Sequence, residues 1–126
     1  MGKYIRPIPA TSRWRVTSDY NDHANRRPPS VEPGTGYGVD HGTPVIAIAD
    51  GTVVFVKTDP SGAMGRVAML NHGGGHYSRV LHLSQTRVYL GRVVKQGDTI
   101  GLSGGSAWGR ENGVGAHVHL SFWEIS

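Results

Sequence analysis

The sequence contains no cysteine, which excludes disulfide bridges and thiolate ligands for a metal. Protein ligands for any metal would therefore come from histidine, aspartate or glutamate. The sequence also has no apolar run close to the roughly 18 residues that a membrane-spanning helix needs. Residues 1–7 form no apolar stretch, so we expect neither a transmembrane segment nor a signal peptide.

Acidic side chains are outnumbered, with 9 Asp and Glu against 13 Lys and Arg, giving a net charge of +4. A basic balance suits anionic partners such as nucleic acid, anionic lipid or an acidic wall polymer, and does not distinguish among them. No basic block is longer than Arg26–Arg27, and the few aromatics show no base-stacking pattern. A nucleic-acid module is therefore the least supported class, and we predict no nucleic-acid partner.

Helical periodicity is absent, whereas glycine is abundant at 19 of 126 residues. Short β-rich runs separated by turn residues predict an all-β fold with little or no helix. We expect an antiparallel β-sheet or sandwich in which long irregular loops form a groove. Residues 1–126 are predicted to form a single domain, with long loops over 19–44 and 104–116.

Turn residues predict two hairpins. Asp50–Gly51 separates the β runs 43–49 and 52–56, which is a strong local hairpin signal. The triple glycine Gly73–Gly75 separates a second pair of β runs. The last strand is predicted over 117–123.

That last strand carries the sharpest chemical feature, the pair His117 and His119. Alternate side chains of a strand share one face and lie about 7 Å apart. Both imidazoles, with Ser121 and Trp123, are therefore expected on one face. Two imidazoles beside a Gly-rich loop suit a metal site or an acid–base site, although His-x-His alone is more typical of two polar residues on a solvated face.

Two further histidines extend this pattern. His82 ends the β run Val80–Leu83, a place where a lone histidine is usually a surface or hydrogen-bonded residue. His23 lies in the long loop. Histidines at several strand ends, taken with the His-x-His pair, indicate a cluster.

The order of the motifs is similar to that of a known family. The segments are Gly42-Thr43-Pro44-Val45, Ala49-Asp50-Gly51-Thr52-Val53, His82-Leu83, Val94-x-x-Gly97-Asp98-x-Ile100-Gly101 and Gly115-Ala116-His117-Val118-His119. In order and spacing this resembles the lysostaphin-like (LytM-type) zinc metallopeptidases, from about residue 10 to the last strand. The segment from His23 to Thr35 looks like the variant found in phage lysins that attack actinobacterial walls.

The resemblance implies a Zn²⁺ cofactor and a peptidoglycan peptide as substrate. It implies that His119 binds zinc, that His117 acts on the attacking water and that His82 steadies the developing oxyanion. Such a site is chemically sensible because three protein ligands leave one zinc position open. The metal then acidifies water and polarises the scissile carbonyl.

The remaining ligands depart from the family pattern, which places them in His-x-Gly-x-Asp with the Asp six residues before the Gly of Gly-Thr-Pro-Val. Gly36 stands at that Asp position and Glu32 at the His position. The phage-type variant implies His23 as the first ligand. Asp40 is the nearest replacement for the missing Asp, and Glu32 is another oxygen donor. Asp40 is also typical of a turn residue next to Gly42.

The resemblance thus implies a zinc-dependent peptidoglycan endopeptidase that cleaves stem or cross-bridge peptides, and we expect it to be a monomer. The resemblance further implies a phage lysin released from the host cytoplasm during lysis. Because Gly36 cannot bind a metal through a side chain, the alternative is a catalytically impaired relative that binds cell wall or a partner.

Overall fold

The computed structural model describes residues 4–10, 12, 15–18 and 35–124. Over these ranges the chain forms strands and no helix, which confirms the predicted all-β class. The strands are β1 (Arg15–Ser18), β2 (Thr35–Gly38), β3 (Pro44–Ile46), β4 (Gly51–Lys57), β5 (Arg66–Gly73), β6 (His76–Leu83), β7 (Gln85–Thr86), β8 (Val93–Val94), β9 (Thr99–Leu102) and β10 (His117–Glu124).

The strands form two antiparallel sheets. The larger has seven strands in the order β1-β2-β10-β6-β5-β4-β8, and the smaller has three in the order β3-β9-β7. Val45 and Ile100 of the small sheet belong to one buried cluster with Val53, Val80 and Val118 of the large sheet. The two sheets therefore share one apolar core, and β10 lies near the middle of the larger sheet.

The predicted hairpin at the triple glycine is confirmed. β5 pairs antiparallel with β6, and Gly73, Gly74 and Gly75 all have positive φ values, of 87°, 60° and 82°. Glycine adopts this left-handed region without the steric penalty of a Cβ atom.

The predicted hairpin at Asp50–Gly51 is wrong. β3 pairs with β9, whereas β4 pairs with β5 and β8, so the two runs belong to different sheets. The Asp50 carboxylate accepts a hydrogen bond from the Gln96 backbone N–H at 2.7 Å, and the Ala47 N–H donates to the Asp98 backbone carbonyl at 2.9 Å. These hydrogen bonds between residues that are far apart in sequence hold the chain where it passes from the small sheet to the large one.

The predicted loop 19–44 also needs a correction, because residues 35–38 form β2 between β1 and β10. Glycine has a low β propensity, so Gly36 and Gly38 made this segment look like a loop in the sequence. Residues 19–34 lie outside the described part of the chain. The second predicted loop, 104–116, contains isolated bridges and no strand. None of the described residues belongs to a helix suited to crossing a membrane.

Candidate metal centre

Three histidines meet on one face of the large sheet. One ring nitrogen each from His82, His117 and His119 forms a set whose members all lie within 4.8 Å of one another. The ring centroid of His82 is 5.0 Å from that of His117 and 6.1 Å from that of His119. The structure thus brings together three of the histidines singled out from the sequence.

Strand alternation explains the placement of the His-x-His pair. Val118 is fully buried in the core, so His117 and His119 point to the opposite face of β10. His119 is only 3% exposed, whereas His117 is partly exposed. The pair therefore has one ring enclosed by protein and one nearer to solvent.

A β-bulge aims His82 at this pair. Arg66 pairs with Leu83 and Ala68 pairs with Val80, so two residues of β6 oppose one residue of β5. His82 lies in the bulge with φ of 62°, a left-handed conformation that is uncommon for a residue with a side chain. Bulges next to functional sites re-aim side chains in this way. The His82 N–H leaves the ladder and donates to the Met64 carbonyl at 2.9 Å.

Hydrogen bonds orient all three rings. Nδ1 of His82 donates to the Ser106 carbonyl at 2.9 Å, and Nδ1 of His117 donates to the Gly115 carbonyl at 2.6 Å. A carbonyl oxygen only accepts, so each Nδ1 carries the proton and each neutral ring has its lone pair on Nε2. Nε2 of His119 is 3.3 Å from the hydroxyl oxygen of buried Ser121. Imidazoles fixed through one nitrogen are the usual ligands of zinc, and this donor set fits that metal.

Ser106 is a supporting residue that the sequence did not reveal. It is fully buried, its carbonyl accepts from His82, and its N–H donates to the His82 carbonyl at 3.3 Å. Its hydroxyl accepts from the Arg66 N–H at 3.0 Å and donates to the Leu83 carbonyl at 2.6 Å. A serine in a Gly-rich loop carries no local signal of this role, because all its partners are distant in sequence.

Strand β2, which pairs with β10, carries no side chain opposite His117 or His119. Gly36 of β2 pairs with His119, and Gly38 pairs with His117. Directly opposed residues of antiparallel strands share a face, with Cβ atoms about 4.5–5.5 Å apart. A side chain at residue 36 would therefore lie next to His119, which is where the family pattern expects its Asp.

The other predicted ligands are not part of this cluster in the described chain. Asp40 is exposed, its side chain is not in the group of nearby donor atoms, and its carbonyl accepts from Ser103 at 2.8 Å and Thr43 at 2.6 Å. These bonds match the alternative role of Asp40 as a turn residue. His23 and Glu32 lie outside the described residues, so their ligand roles stay predictions.

The site face continues along the sheet as an aromatic and basic surface. Tyr77 pairs with Trp123, and their stacked rings lie 5.7 Å apart. The Arg79 guanidinium carbon lies 5.1 Å from the centre of a Trp123 ring. Arg79 pairs with Ser121, so this surface begins two residue pairs along the ladder from the pair Leu81 and His119.

An ion pair joins the first residue of β5 to the loop 104–116, which also contains the Ser106 carbonyl bonded to His82. Arg66 contacts Glu111 through two hydrogen bonds, of 2.5 and 2.8 Å. The hydrogen bond from Arg66 lowers the pKa of Glu111 below its usual range. Because Ser106 and Glu111 belong to the same loop, the ion pair helps to fix the segment that orients His82.

The pH dependence of this contact gives a first prediction. A carboxylate with a lowered folded-state pKa stabilises the chain above its unfolded pKa of about 4.3, and the contribution is lost as the pH falls through the lowered value. We expect Glu111→Gln to lower the free energy of unfolding at pH 7 by about 0.2–1 kcal/mol, the range for exposed ion pairs. Denaturant unfolding measured at pH 7 and at a pH below the lowered pKa of Glu111 should show this difference shrinking toward zero in acid. An equal cost at both pH values would contradict the prediction.

Comparisons with known proteins agree with this architecture. The family described as Peptidase family M23 matches residues 30–126. The peptidoglycan DD-endopeptidase ShyA of Vibrio cholerae is 34% identical over 115 residues, which cover 89% of this chain and 26% of that protein. The chain thus spans about a quarter of the length of curated relatives that it matches, at 25% and 26%.

Solved structures show the same fold. A zinc-containing peptidase from V. cholerae superposes with a TM-score of 0.76 and 29% identity, covering 94% of this chain and 36% of that one. Lysostaphin from Staphylococcus simulans gives a TM-score of 0.67 and 26% identity, covering 90% and 43% respectively. The family match covers most of the chain, and the motifs, the fold and the histidine cluster agree with it. This chain belongs to peptidase family M23.

Proposed function

We propose that the chain is a zinc-dependent endopeptidase that cleaves stem or cross-bridge peptides of peptidoglycan. The observation that carries this proposal is the set of three histidines on one face of the large sheet, His82, His117 and His119, with ring nitrogens within 4.8 Å of one another. Support for the substrate comes from the family match and from a relative named as a peptidoglycan DD-endopeptidase. The basic net charge of +4 also suits an anionic wall.

Zinc, when bound, acts as a Lewis acid that polarises the scissile carbonyl and acidifies the attacking water. In the roles implied by the resemblance, His119 would hold the metal with His23, and His117 would receive the proton from water. Asp40 is the nearest replacement for the missing third ligand. Nε2 of His117 has the lone pair for that step, since Nδ1 donates to Gly115. An oxyanion contact from His82 would need an N–H at Nε2, and thus a protonated ring, because Nδ1 donates to Ser106.

The half-exposed surface of Tyr77, Arg79 and Trp123 supports a peptide substrate. It lies on the face of the sheet that carries His119, so a chain crossing the histidines would pass over it. The aromatic rings offer apolar contact area, and a guanidinium suits the carboxylates of wall peptides.

Hydrolysis of purified sacculi tests the proposal. We expect new amino groups to appear with the natural chain, to stop appearing after treatment with a chelator, and to return when zinc is added. His119→Ala should abolish the reaction, because His119 is a metal ligand under every assignment considered for this site. His76→Ala is the matched control, since it removes an imidazole that bonds to Glu124 at the far end of β10. Undiminished hydrolysis by His119→Ala, or in chelator, would disprove the proposal.

Gly36 supports a second candidate, a relative with impaired catalysis that binds wall polymer or a partner. Residue 36 pairs with His119 and offers no ligand there. Co-sedimentation with sacculi that proceeds without release of amino groups would favour this candidate. Full hydrolytic activity of the natural sequence would exclude it.

We also propose that the chain derives from a phage lysin, acts as a monomer and reaches the wall from the host cytoplasm during lysis. The support is the resemblance of the segment from His23 to Thr35 to lysins that attack actinobacterial walls. Comparing hydrolysis of actinobacterial and staphylococcal walls tests the host class. Equal or greater activity on the staphylococcal wall would count against this origin.

A further inference from the structure

We propose that Trp108 is a substrate-binding residue whose indole stacks on a sugar ring of the glycan strand that carries the scissile peptide. The inference rests on the proposed function for the identity of the polymer. It adds a carbohydrate contact on the loop 104–116, apart from the peptide-binding surface of Tyr77, Arg79 and Trp123.

Trp108 lies at the tip of a two-residue turn. Ala107 and Arg110 form an antiparallel bridge, in which the Ala107 N–H donates to the Arg110 carbonyl at 3.0 Å and the Arg110 N–H donates back at 2.9 Å. The two residues between them, Trp108 and Gly109, have φ values of 57° and 80°. Positive φ at both central positions is characteristic of a type I′ turn, which favours Asn-Gly over a bulky first residue.

The backbone conformation at Trp108 has a cost that this residue type does not reduce. Among the described residues other than glycine, positive φ occurs at Trp108 and at His82, a member of the histidine cluster. Asparagine adopts the left-handed region more readily than tryptophan does. Strained residues of this kind concentrate at ligand-binding and catalytic sites, where the surrounding structure enforces them. The indole at this tip is therefore a candidate for function.

Packing in the core does not account for the indole, because Trp108 is 65% exposed. Its backbone, by contrast, is held by the neighbouring loop. The Trp108 N–H donates to the Gly62 carbonyl at 2.6 Å, and the Gly109 N–H donates to the Pro60 carbonyl at 2.8 Å. The turn thus presents a large apolar ring from a fixed base, which reduces the conformational entropy that binding costs.

The turn lies beside the histidine cluster. The Ser106 carbonyl, two residues before Trp108, accepts the hydrogen bond from the His82 ring at 2.9 Å. Two residues of chain span at most about 7 Å, so the Trp108 backbone lies within that distance of Ser106. The loop on which the turn rests also contacts His82, because the Met64 carbonyl accepts the His82 backbone N–H at 2.9 Å. Trp108 therefore lies at the rim of the site, where a substrate bound at the histidines comes within reach.

The chemistry of this rim suits a sugar. An indole offers a flat apolar face and one N–H donor. A pyranose ring has an apolar face of C–H groups and an edge of hydroxyl groups. Arg110 and Asn112 are exposed on the same loop and offer hydrogen-bond donors to such hydroxyls. Because wall peptides branch from the glycan strand, a peptide bound at the histidines brings sugar rings close to Trp108.

NMR titration of the natural chain with a tetramer of N-acetylglucosamine tests the contact without any need for hydrolysis. We expect the indole N–H signal of Trp108 to shift on binding. Trp108→Asn should weaken binding by roughly tenfold, the scale of one lost aromatic contact, and Trp108→Phe should recover part of the affinity. Tyr89→Asn is the matched control, because Tyr89 is an aromatic residue that is 70% exposed in another turn, next to the β8 edge of the sheet. It should keep the natural affinity.

Thermal unfolding separates a substrate contact from a structural role. Relief of the left-handed strain should raise the unfolding midpoint of Trp108→Asn by about 2–5 °C while its sugar binding falls. A fall in both stability and binding would show that the indole supports the fold, and would overturn the inference. Unchanged binding in Trp108→Asn, or no binding of the tetramer by the natural chain, would overturn it as well.

Hydrolysis kinetics add a second readout. For sacculi, Trp108→Asn should raise KM by roughly tenfold with kcat retained, whereas hydrolysis of a wall peptide without glycan should be unchanged. An equal rise in KM for both substrates would assign Trp108 to the peptide and overturn the sugar contact. Sugar binding that depends on Trp108 in a chain that does not hydrolyse sacculi would disprove the proposed function and leave this inference standing.

Discussion

Gly36→Asp should raise the zinc affinity of the chain by roughly a hundredfold, an estimate scaled to the 10–100-fold losses seen when the surroundings of a metal ligand change. Residue 36 is the direct cross-strand partner of His119. The Cβ atoms of such a pair lie about 4.5–5.5 Å apart, within reach for a carboxylate to join the same zinc. Gly36 is in strand β2 and is not among the glycines with positive φ, so its backbone conformation suits a residue with a side chain.

Gly36→Asn is the matched control for this substitution, because the amide has nearly the size of the carboxylate and lacks its charge. Isothermal titration with zinc should show the gain for Asp and little or no gain for Asn. The same substitution should increase hydrolysis of sacculi, since a larger share of the chains would then hold zinc. Equal affinity of Gly36→Asp and the natural chain would show that the introduced carboxylate does not reach the metal.

Gly65→Ala should destabilise the chain by about 2–5 kcal/mol and weaken the metal site. A Cβ atom at residue 65 would lie 1.9 Å from the Ser106 carbonyl oxygen, the atom that accepts the His82 ring N–H. The backbone at Gly65 has φ of 63°, which costs about 1–2 kcal/mol for a residue with a side chain. Crowding adds about 1–3 kcal/mol, because the Ser106 backbone would have to move.

Gly62→Ala separates the cost of the positive φ from the cost of crowding against Ser106. Gly62 lies in the same loop with φ of 72°, but a Cβ atom there meets no atom within 4 Å. Denaturant unfolding should show a loss of only about 1–2 kcal/mol for Gly62→Ala. The zinc affinity of Gly62→Ala should stay natural while that of Gly65→Ala falls. Equal losses in both variants would mean that close contact with Ser106 does not support the site.

The sequence predicted the features that depend on local period and turn chemistry. The two-residue alternation of a strand was enough to place His117 and His119 on one face, and the triple glycine was enough to predict the β5–β6 hairpin. The spacing to the Gly-Thr-Pro-Val segment identifies Gly36 as the position of the expected Asp, and the structure pairs that residue with His119.

Local sequence patterns do not predict features that depend on contacts between residues far apart in the chain. Asp50–Gly51 has the composition of a tight turn, but the bond from Gln96 and the pairing of β3 with β9 send its flanking runs to different sheets. The bulge at His82 and the role of Ser106 depend on partners about 20 or more residues away in the chain. No window of the sequence contains both members of such contacts.

Zinc content of the purified natural chain is the most direct test of the central claim that the histidine cluster is a metal centre. Metal analysis should find one zinc per chain after exposure to zinc and removal of the excess, and none in His119→Ala. An absence of zinc from the natural chain, or retention of zinc by a folded His119→Ala variant, would contradict the claim.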